Sequence, residues 1–510
     1  MNQHWPESLI KEAEKLKGVR ISDLFSQEAD RLSYLSANAC GIYIDASKNL
    51  INHVAFEELV SFAQKKRVTD AIKSMFQGNK INYTENRAVL HTLLRSSQSN
   101  VAEYEAVKSE RHNVSEFAEQ IRSGKTLGAT GKPIKFIVNI GIGGSDLGPQ
   151  LLVDAFRSSI PTTLDYEFLS DVDDEQLDYI WKRVDPEATL FILCSKSFTT
   201  WETQTNAKRV IERLKEAVGD NWNKHFAGVA VDVDAMSRFG ILPQRQFKIW
   251  DFVGGRYSVW SSVNLIARIL LGNKLVDEFL FGAEDMDKHF QDAPLDSNLP
   301  VLLALIQTWN IQFLNHSVFI TLPYSHGLRL FPDYQQQLEM ESNGKRVDRQ
   351  GQPINWPTCP YIFGQLGLNA QHAFMQLVHQ SDRQTYVEFI AVPSKTRNFE
   401  DDVAFRSCLA QSQALMEGTL DESVEEKRCP GNRPSTTLVL DKLTPKTLGS
   451  LVALYEHKVF VQSVLWDINA FDQFGVELGK KIATQLTSKS VEDNNVDDST
   501  RSLIRFHSAS

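Results

Sequence analysis

The 510-residue sequence lacks several features that would place it outside the soluble globular proteins. It has no apolar run near the roughly 20 residues that span a bilayer. Its N-terminus has no basic segment followed by an apolar one, so we expect no secretory signal. Cysteines are few: the five are scattered and include no C-x-x-C pair. This pattern favours reduced thiols in a cytoplasmic compartment over a disulfide framework or a zinc site.

Net positive charge is also lacking. The formal net charge is −10, which argues against non-specific nucleic-acid binding. An anionic ligand would therefore need positive charge from a few chosen side chains and from helix N-termini. Hydrophobic residues make up 42% and charged residues 23% of the chain, and the length suggests two or three lobes.

Hydrophobic periodicity divides the chain into regions. Residues 1 to about 105 have mostly helical patterns, with one strand candidate at 41–49. From about 125 onward, two successive series of short apolar runs alternate with helical stretches, which predicts parallel sheets with crossover helices. A helix over 445–465 would begin at Thr444-Pro445. The strand candidates are Phe136–Ile142, Tyr166–Ser170, Thr189–Cys194, Phe226–Val231, Gln246–Trp250, Ser317–Leu322, Thr385–Val392 and Thr437–Leu440.

A glycine-rich turn follows the strand candidate Phe136–Ile142, in the sequence FIVNIGIGGSDLGPQLL. It is neither a dinucleotide fingerprint, because Asp146 takes the place of the third glycine, nor a P-loop, because no Gly-Lys-Ser/Thr follows. The glycines would let a ligand approach the backbone, and the helix after Ser145 would favour an anion. Packing of the turn accounts for the glycines equally well.

A hydroxyl-rich stretch follows the strand candidate Thr189–Cys194. Here Thr199–Glu202 predicts a capping box that starts a helix. Hydroxyls, a lysine and a helix N-terminus together predict a phosphate-binding cup, whereas simple capping would need only one hydroxyl. The predicted cup residues are Ser195, Lys196, Ser197, Thr200 and Thr203.

Two further stretches supply a carboxylate and an arginine. In DYQQQLEMESNGK, Asp333 predicts the N-cap of a short helix and Asn343-Gly344 its end. Gln337 and Glu341 lie four residues apart and share a face of that helix. A solvated glutamate at a helix end is the plainer interpretation. Gly254-Gly255 places Arg256 on a tight turn, where it could stabilise negative charge on oxygens or lie on the surface.

Two stretches near the C-terminus complete the set. Asn369 is a plausible N-cap, which would put His372 in the first turn of a helix and favour a neutral imidazole. If one helix continues through Gly475, then Gln473 and Lys480 share a face. Both patterns also fit a structural histidine and a solvated polar stripe.

Taken together and in this order, these motifs resemble the glucose-6-phosphate isomerase (phosphoglucose isomerase) family from about residue 35 to 485. The motifs are GIGGSDLG at 141–148, SKSFTTWET at 195–203, GGRYSVWS at 254–261, QQLEMESNGK at 336–345, NAQHAF at 369–374 and FDQFGVELGK at 471–480. The resemblance implies an α/β fold of two sugar-isomerase (SIS) three-layer αβα domains with parallel-type sheets, a homodimer, and no metal or other cofactor. By that resemblance the chain divides into an N-terminal helical region packed with the large domain (1–105), a small SIS domain (106–270), a large SIS domain (271–487) and a polar tail (488–510).

The resemblance also implies a reaction, the interconversion of glucose 6-phosphate and fructose 6-phosphate in glycolysis and gluconeogenesis. Glu341 would be the base that moves a proton between C2 and C1, and Arg256 would stabilise the enediolate. His372, from the partner subunit, and Lys480 would assist ring opening. The substrate-binding residues carried over by position are Gly144, Ser145, Ser195, Lys196, Ser197, Thr200, Gln337 and Gln473.

Departures from the family pattern are small. Ser197 stands where threonine is common, Trp201 replaces the usual glutamine, and Gln337-Leu338-Glu339 replaces a more usual Gln-Gly-Asp. Three alternatives stay open: an isomerase for another phosphosugar such as mannose 6-phosphate, a non-catalytic sugar-phosphate sensor, and a nucleotide-binding enzyme. A sensor has no reason to keep Glu341, Arg256, His372 and Lys480 together, and the failed glycine fingerprint disfavours the nucleotide-binding enzyme.

Overall fold

Two β-sheets organise the chain in the computed structural model, which describes residues 5–419, 422–486 and 496–509. One has five strands in the order β4-β3-β5-β6-β7, and the other has six in the order β1-β2-β11-β10-β8-β9. The strands are β1 (Ser36–Ala39), β2 (Ile42–Asp45), β3 (Phe136–Ile140), β4 (Asp165–Leu169), β5 (Thr189–Cys194), β6 (Phe226–Ala230), β7 (Gln246–Lys248), β8 (Val318–Pro323), β9 (Tyr361–Gly364), β10 (Thr385–Ala391) and β11 (Ser435–Leu440).

Helices connect the strands and cover the sheets. Those described are α1 (Glu7–Lys15), α2 (Ile21–Gln27), α3 (Arg31–Leu35), α4 (His53–Lys65), α5 (Val68–Phe76), α6 (Tyr104–Arg122), α7 (Leu147–Ala155), α8 (Asp174–Arg183), α9 (Trp201–Val218), α10 (Val233–Phe239), α11 (Leu265–Leu271), α12 (Asn273–Asp292), α13 (Leu299–Gln312), α14 (Phe331–Gln336), α15 (Gly367–Gln371), α16 (Met375–Gln380), α17 (Val403–Glu417), α18 (Pro445–Leu465), α19 (Glu477–Gln485) and α20 (Asp498–Ala509).

The five-stranded sheet is parallel throughout. Its strands β3, β5 and β6 are buried along their whole length, which is why they are continuous apolar runs in the sequence. The strand order reverses at β3, since β4 lies on one side of it and β5 on the other. Such a switch point leaves a crevice at the carboxyl ends of β3 and β5, where open α/β sheets bind ligands.

The six-stranded sheet is parallel from β11 to β9, whereas β1 and β2 join its edge in antiparallel pairing. The predicted mixed α/β fold with parallel sheets is therefore confirmed. Sequence patterns missed β1 and β9. Each has only four residues and lies at a sheet edge, and SANA has almost no apolar signal while Tyr361 and Phe363 face outward.

Helix α18 is buried along almost its whole length. Its residues from Thr447 to Leu465 are all buried, because α12 and α13 pack against it. The side chain of Thr444 accepts a hydrogen bond from the backbone N–H of Thr447, which confirms the predicted start of this helix.

The chain divides into two compact units, residues 1–470 and 471–510. The first contains both sheets, and the second contains α19 and α20. The domain boundaries at 105, 270 and 487 stay predictions, and much of the predicted tail, 488–495 and residue 510, lies outside the described residues. In the described part of the chain, no helix combines the length and apolar character needed to cross a membrane.

Candidate active site

The glycine-rich turn and the hydroxyl-rich stretch lie side by side at the switch point. Strand β3 leads into the short 3₁₀ turn Gly143–Ser145 and then α7, and β5 leads into Ser195 and α9. Because β3 and β5 are adjacent and parallel, their carboxyl ends deliver both loops to the same edge of the sheet. The sequence indicates each loop separately, and the topology brings them together.

The hydroxyls of the second loop bond to one another. Ser195 donates to Thr200 Oγ1 (3.1 Å), and Thr199 donates to Ser197 Oγ (2.8 Å). Phe198 between them adopts a left-handed backbone conformation, with φ of 55°. Thr203 lies within the helix and donates to the carbonyl of Thr200, so it is not part of the cup.

The predicted capping box at Thr199–Glu202 is wrong. Helix α9 begins at Trp201, and its N-cap Thr200 makes no side-chain hydrogen bond to the first turn. The hydroxyls are engaged with each other instead. This leaves the N-terminus of an 18-residue helix available to an anion, as a phosphate cup requires.

Positive charge gathers beside the cup. Lys196 Nζ donates to the carbonyl of Asp251 (3.0 Å), and Arg87 Nε lies 3.7 Å from the Asp251 carboxylate. Burial lowers the pKa of Lys196, and the positive charges of Arg87 and Arg256 lower it further. Arg87 was not predicted to belong here, because it is far from the cup in sequence.

The glycine turn packs directly on the arginine-bearing loop. A Cβ on Gly144 would lie 2.0 Å from the carbonyl oxygen of Gly255, so only glycine permits this approach. Gly143 has φ of 58°, and a Cβ there would lie 3.0 Å from Gln337 Nε2. The turn therefore sits between Arg256 and Gln337, and it carries the half-buried Ser145 beside them.

Arg256 and Glu341 form the charged centre of the site. The guanidinium Nη1 of Arg256 lies 3.6 Å from Glu341 Oε2. Arg256 is 2% exposed, and its Nε and Nη2 donate to Ser342 Oγ and the carbonyl of Ala470, both at 2.5 Å. The Glu341 side chain is 20% exposed, so its carboxylate is accessible from solvent. The Arg256 guanidinium is buried and held by its hydrogen bonds.

Glu341 belongs to a π-turn rather than to a plain α-helix. The π-turn Gln337–Glu341 continues α14. Asp333 is inside the first turn of α14 and Leu330 is its N-cap, so the predicted cap at Asp333 is wrong. The helical segment ends at Asn343, as predicted. π-turns are rare in proteins overall but frequent at functional sites, where they change the direction of a side chain.

A buried ion pair holds this π-turn from the core side. Glu339 is 1% exposed and accepts hydrogen bonds from Lys458 Nζ (2.8 Å) and Gln335 Nε2 (2.7 Å). Residues two apart on a helix face different ways, so Glu339 is directed into the core while Glu341 meets Arg256. Leu338 is fully buried. The departure from the family pattern at 338–339 is therefore matched by packing and by a partner cation.

His372 does not occupy the predicted position in a helix. Asn369 lies inside the short helix α15, and His372 is its C-cap, so the imidazole does not lie at a helix N-terminus. The imidazole is exposed and has no hydrogen-bond or ion-pair partner among residues 5–419. The structure thus brings together the predicted residues of the cup other than Thr203, the glycine turn, Arg256, Gln337 and Glu341, but not His372.

Gln473 and Lys480 belong to the second unit. The helix is not continuous through Gly475: a 3₁₀ turn spans Phe474–Val476, and α19 begins at Glu477. Gln473 is the N-cap residue of that turn. The predicted shared helical face is therefore wrong, because Gln473 lies outside the helix that contains Lys480.

Asp146 leads to a prediction about pH and stability. It is 5% exposed, and burial raises its pKa from 3.8 to about 6, although Gln150 donates to it. A raised carboxyl pKa favours folding at low pH, and this contribution is lost between the unfolded and folded pKa values. We compare the free energy of unfolding of Asp146→Asn with that of the parent protein at each pH. We expect this difference to favour the variant by about 2 kcal/mol more at pH 7.5 than at pH 4.5, from 1.36 kcal/mol per pKa unit. Urea unfolding at both pH values tests this, with Asp220→Asn as the exposed control; equal changes in both variants would contradict it.

A parallel sheet with a switch point, and with hydroxyls, a lysine and a helix N-terminus at its carboxyl edge, is typical of α/β enzymes that handle small anionic substrates. Comparison with known proteins gives the family. A family model described as Phosphoglucose isomerase matches residues 45–504. The chain therefore belongs to the phosphoglucose isomerase family, and it is an isomerase.

Individual relatives agree along nearly the whole length. The glucose-6-phosphate isomerase of Helicobacter pylori is 41% identical, over 98% of this chain and 97% of its own. That of Chlorobium luteolum is also 41% identical, over 98% and 96%. The crystal structure of a glucose-6-phosphate isomerase from Chlamydia trachomatis superposes with a TM-score of 0.87 at 31% identity, covering 99% of each chain.

Proposed function

We propose that this protein interconverts D-glucose 6-phosphate and D-fructose 6-phosphate reversibly, in glycolysis and gluconeogenesis, through ring opening and a cis-enediolate. The observation that carries the proposal is the pairing of Glu341 with Arg256, 3.6 Å apart, beside the anion cup. The family membership and the glucose-6-phosphate isomerases to which the chain is similar give it independent support.

Glu341 and Arg256 can supply the groups that this isomerisation requires. An aldose–ketose isomerisation removes a proton next to a carbonyl and returns it to the neighbouring carbon. One carboxylate, Glu341, can perform both transfers if it stays in place, and proton transfer needs no redox cofactor or metal. The enediolate is anionic, and the buried Arg256 can stabilise its oxygens.

Binding energy from the phosphate orients the reacting carbons. The cup of Ser195, Lys196, Ser197 and Thr200 would hold the phosphate with the N-terminus of α9. The sugar would contact Gly144, Ser145, Gln337 and Gln473, and His372 and Lys480 would assist ring opening. These assignments follow the family motifs position by position.

A direct assay tests the proposed function. Purified protein is incubated with fructose 6-phosphate, and the appearance of glucose 6-phosphate is followed by NMR. This direct detection needs no coupling enzyme. Unphosphorylated fructose and mannose 6-phosphate serve as comparison substrates. We expect turnover of fructose 6-phosphate and almost none of fructose, because the phosphate anchor is missing. Tight binding of fructose 6-phosphate without product would instead indicate a sensor.

We further propose a homodimer in which His372 completes the partner's site. His372 is exposed and lies beside a group of exposed apolar side chains on β9, α15 and α16, and Phe363 also contacts Phe374 in this region. Exposed apolar patches commonly mark interfaces. The apolar residues are Tyr361 at 73%, Phe363 at 36%, Leu368 at 40% and Leu377 at 60% exposure.

Subunit mixing tests the shared site. His372→Ala and Glu341→Gln homodimers should each have lost most activity. If His372 acts across the interface, a mixed dimer contains one intact site, and random reassortment should restore about one quarter of parental activity. Refolding each variant separately before mixing is the control. No recovery in dimers shown to be mixed would place both residues in the same subunit and contradict the proposal.

A further inference from the structure

Two buried hydroxyls, those of Ser342 and Tyr257, hold Arg256 in place, and we call this pair the hydroxyl bracket. Its Nε donates to Ser342 Oγ at 2.5 Å, and Ser342 Oγ also bonds the hydroxyl of Tyr257 at 2.8 Å. All three residues are at most 2% exposed. The ring of His91 lies 4.9 Å from the Tyr257 ring and packs against it, which limits where the phenol can move.

The bracket is covalently next to the carboxylate. Ser342 directly follows Glu341 at the end of the π-turn, so one short segment carries both the carboxylate and the hydroxyl that holds the arginine. The separation of 3.6 Å between Arg256 Nη1 and Glu341 Oε2 is longer than a charge-assisted hydrogen bond. Lys345, one turn further on, donates to the backbone carbonyl of Glu341.

We infer that Ser342 and Tyr257 are positioning residues that hold the Arg256 guanidinium at a fixed distance from the Glu341 carboxylate. Held there, the arginine faces the oxygens of the substrate and does not close onto the glutamate. The carboxylate then stays available to take a proton. This inference rests on the proposed function, because it concerns the roles of the same two charged groups.

We expect removal of the Ser342 hydroxyl to change the kinetics in a specific way. In Ser342→Ala the Nε–H of a buried arginine loses this acceptor, and the guanidinium can move onto Glu341. We expect kcat to fall about 10- to 100-fold, since misplacement by about 1 Å can cost that much, while KM stays within about threefold. A closer positive charge favours the ionised carboxylate, so the acid limb of the kcat/KM profile should shift to lower pH.

Tyr257→Phe is a second test variant, and Ser450→Ala is the control. Tyr257→Phe removes one arm of the bracket and should shift the same limb in the same direction by a smaller amount; it carries the test if Ser342→Ala does not fold. Ser450 is an equally buried helical serine, bonded to the carbonyl of Gly282, and its alanine variant should alter neither kcat nor the pH profile.

The outcomes separate the two proposals. A parental protein with no isomerase activity overturns the proposed function itself. An active parent, with variants at 257 and 342 that keep its kcat and its acid limb, overturns the positioning role. A loss of stability with an unshifted limb also overturns it, because a purely structural hydroxyl would act that way.

Discussion

Glu341→Gln should abolish turnover while leaving substrate binding almost intact. Glutamine has the size of glutamate and keeps a hydrogen-bonding oxygen, but it cannot take a proton from carbon. General-base catalysis contributes about 10²- to 10⁴-fold, and we expect a loss of kcat at the upper end of that range with KM within about threefold. Steady-state kinetics of the purified variant with fructose 6-phosphate measure both quantities.

The control for this variant is Glu212→Gln, the same chemical change on the exposed face of α9. It should keep parental kcat and KM. Glu341→Gln should also retain the parental unfolding midpoint, because Glu341 is partly exposed and its ion pair with Arg256 is long. A variant that keeps more than a tenth of parental kcat would show that another group is the base.

Arg256→Lys should be nearly as damaging although it conserves the charge. Lysine offers one nitrogen in place of a planar fork, so it cannot keep the bonds to Ser342 and Ala470 together. Loss of a preorganised donor to an oxyanion typically costs about 10²- to 10³-fold in kcat, and we expect a loss of that size. The carbonyl left without its partner should also lower the free energy of unfolding by about 1–3 kcal/mol.

Arg238→Lys provides the matched comparison, because Arg238 is 69% exposed and pairs with Asp232 on the surface. It should change neither kcat nor the urea midpoint measurably. Should Arg256→Lys retain kcat/KM within threefold of the parent, charge alone would suffice at that position, and the geometry of the guanidinium would not matter.

Sequence patterns found the sheets where the strands are long and buried. Thr189–Cys194 was predicted at its observed bounds, since a short apolar run between turn signals is typical of a buried strand. The edge strand β9 was missed, because four residues with outward-facing side chains give no such run.

The site was predictable as segments but not as an assembly. The glycine turn, the hydroxyl cup and Glu341 were each visible as local motifs, and family resemblance joined them. Arg87 and Tyr257 could not be assigned, because their roles depend on contacts with residues distant in sequence. The one sequence signal for Ser342 is its position directly after Glu341.

Helix boundaries account for most of the errors. Asp333, Thr199 and Asn369 are all good capping residues, yet none caps a helix here. At 199 the hydroxyl bonds a neighbouring serine instead. Capping preferences are worth only about 1 kcal/mol, so tertiary contacts and alternative hydrogen bonds override them easily.

The most direct test of Glu341 as the base is solvent exchange during turnover. Fructose 6-phosphate is converted in D₂O, and deuterium at C2 of the glucose 6-phosphate is measured by NMR, with the Glu341→Gln variant in parallel. We predict deuterium at C2 in the product of the parent, because the proton resides on a carboxylate that exchanges with solvent, and no exchange above background with the variant. Product formed without deuterium would indicate a shielded proton transfer or a hydride shift. Equal exchange by both proteins would contradict the assignment of Glu341 as the base.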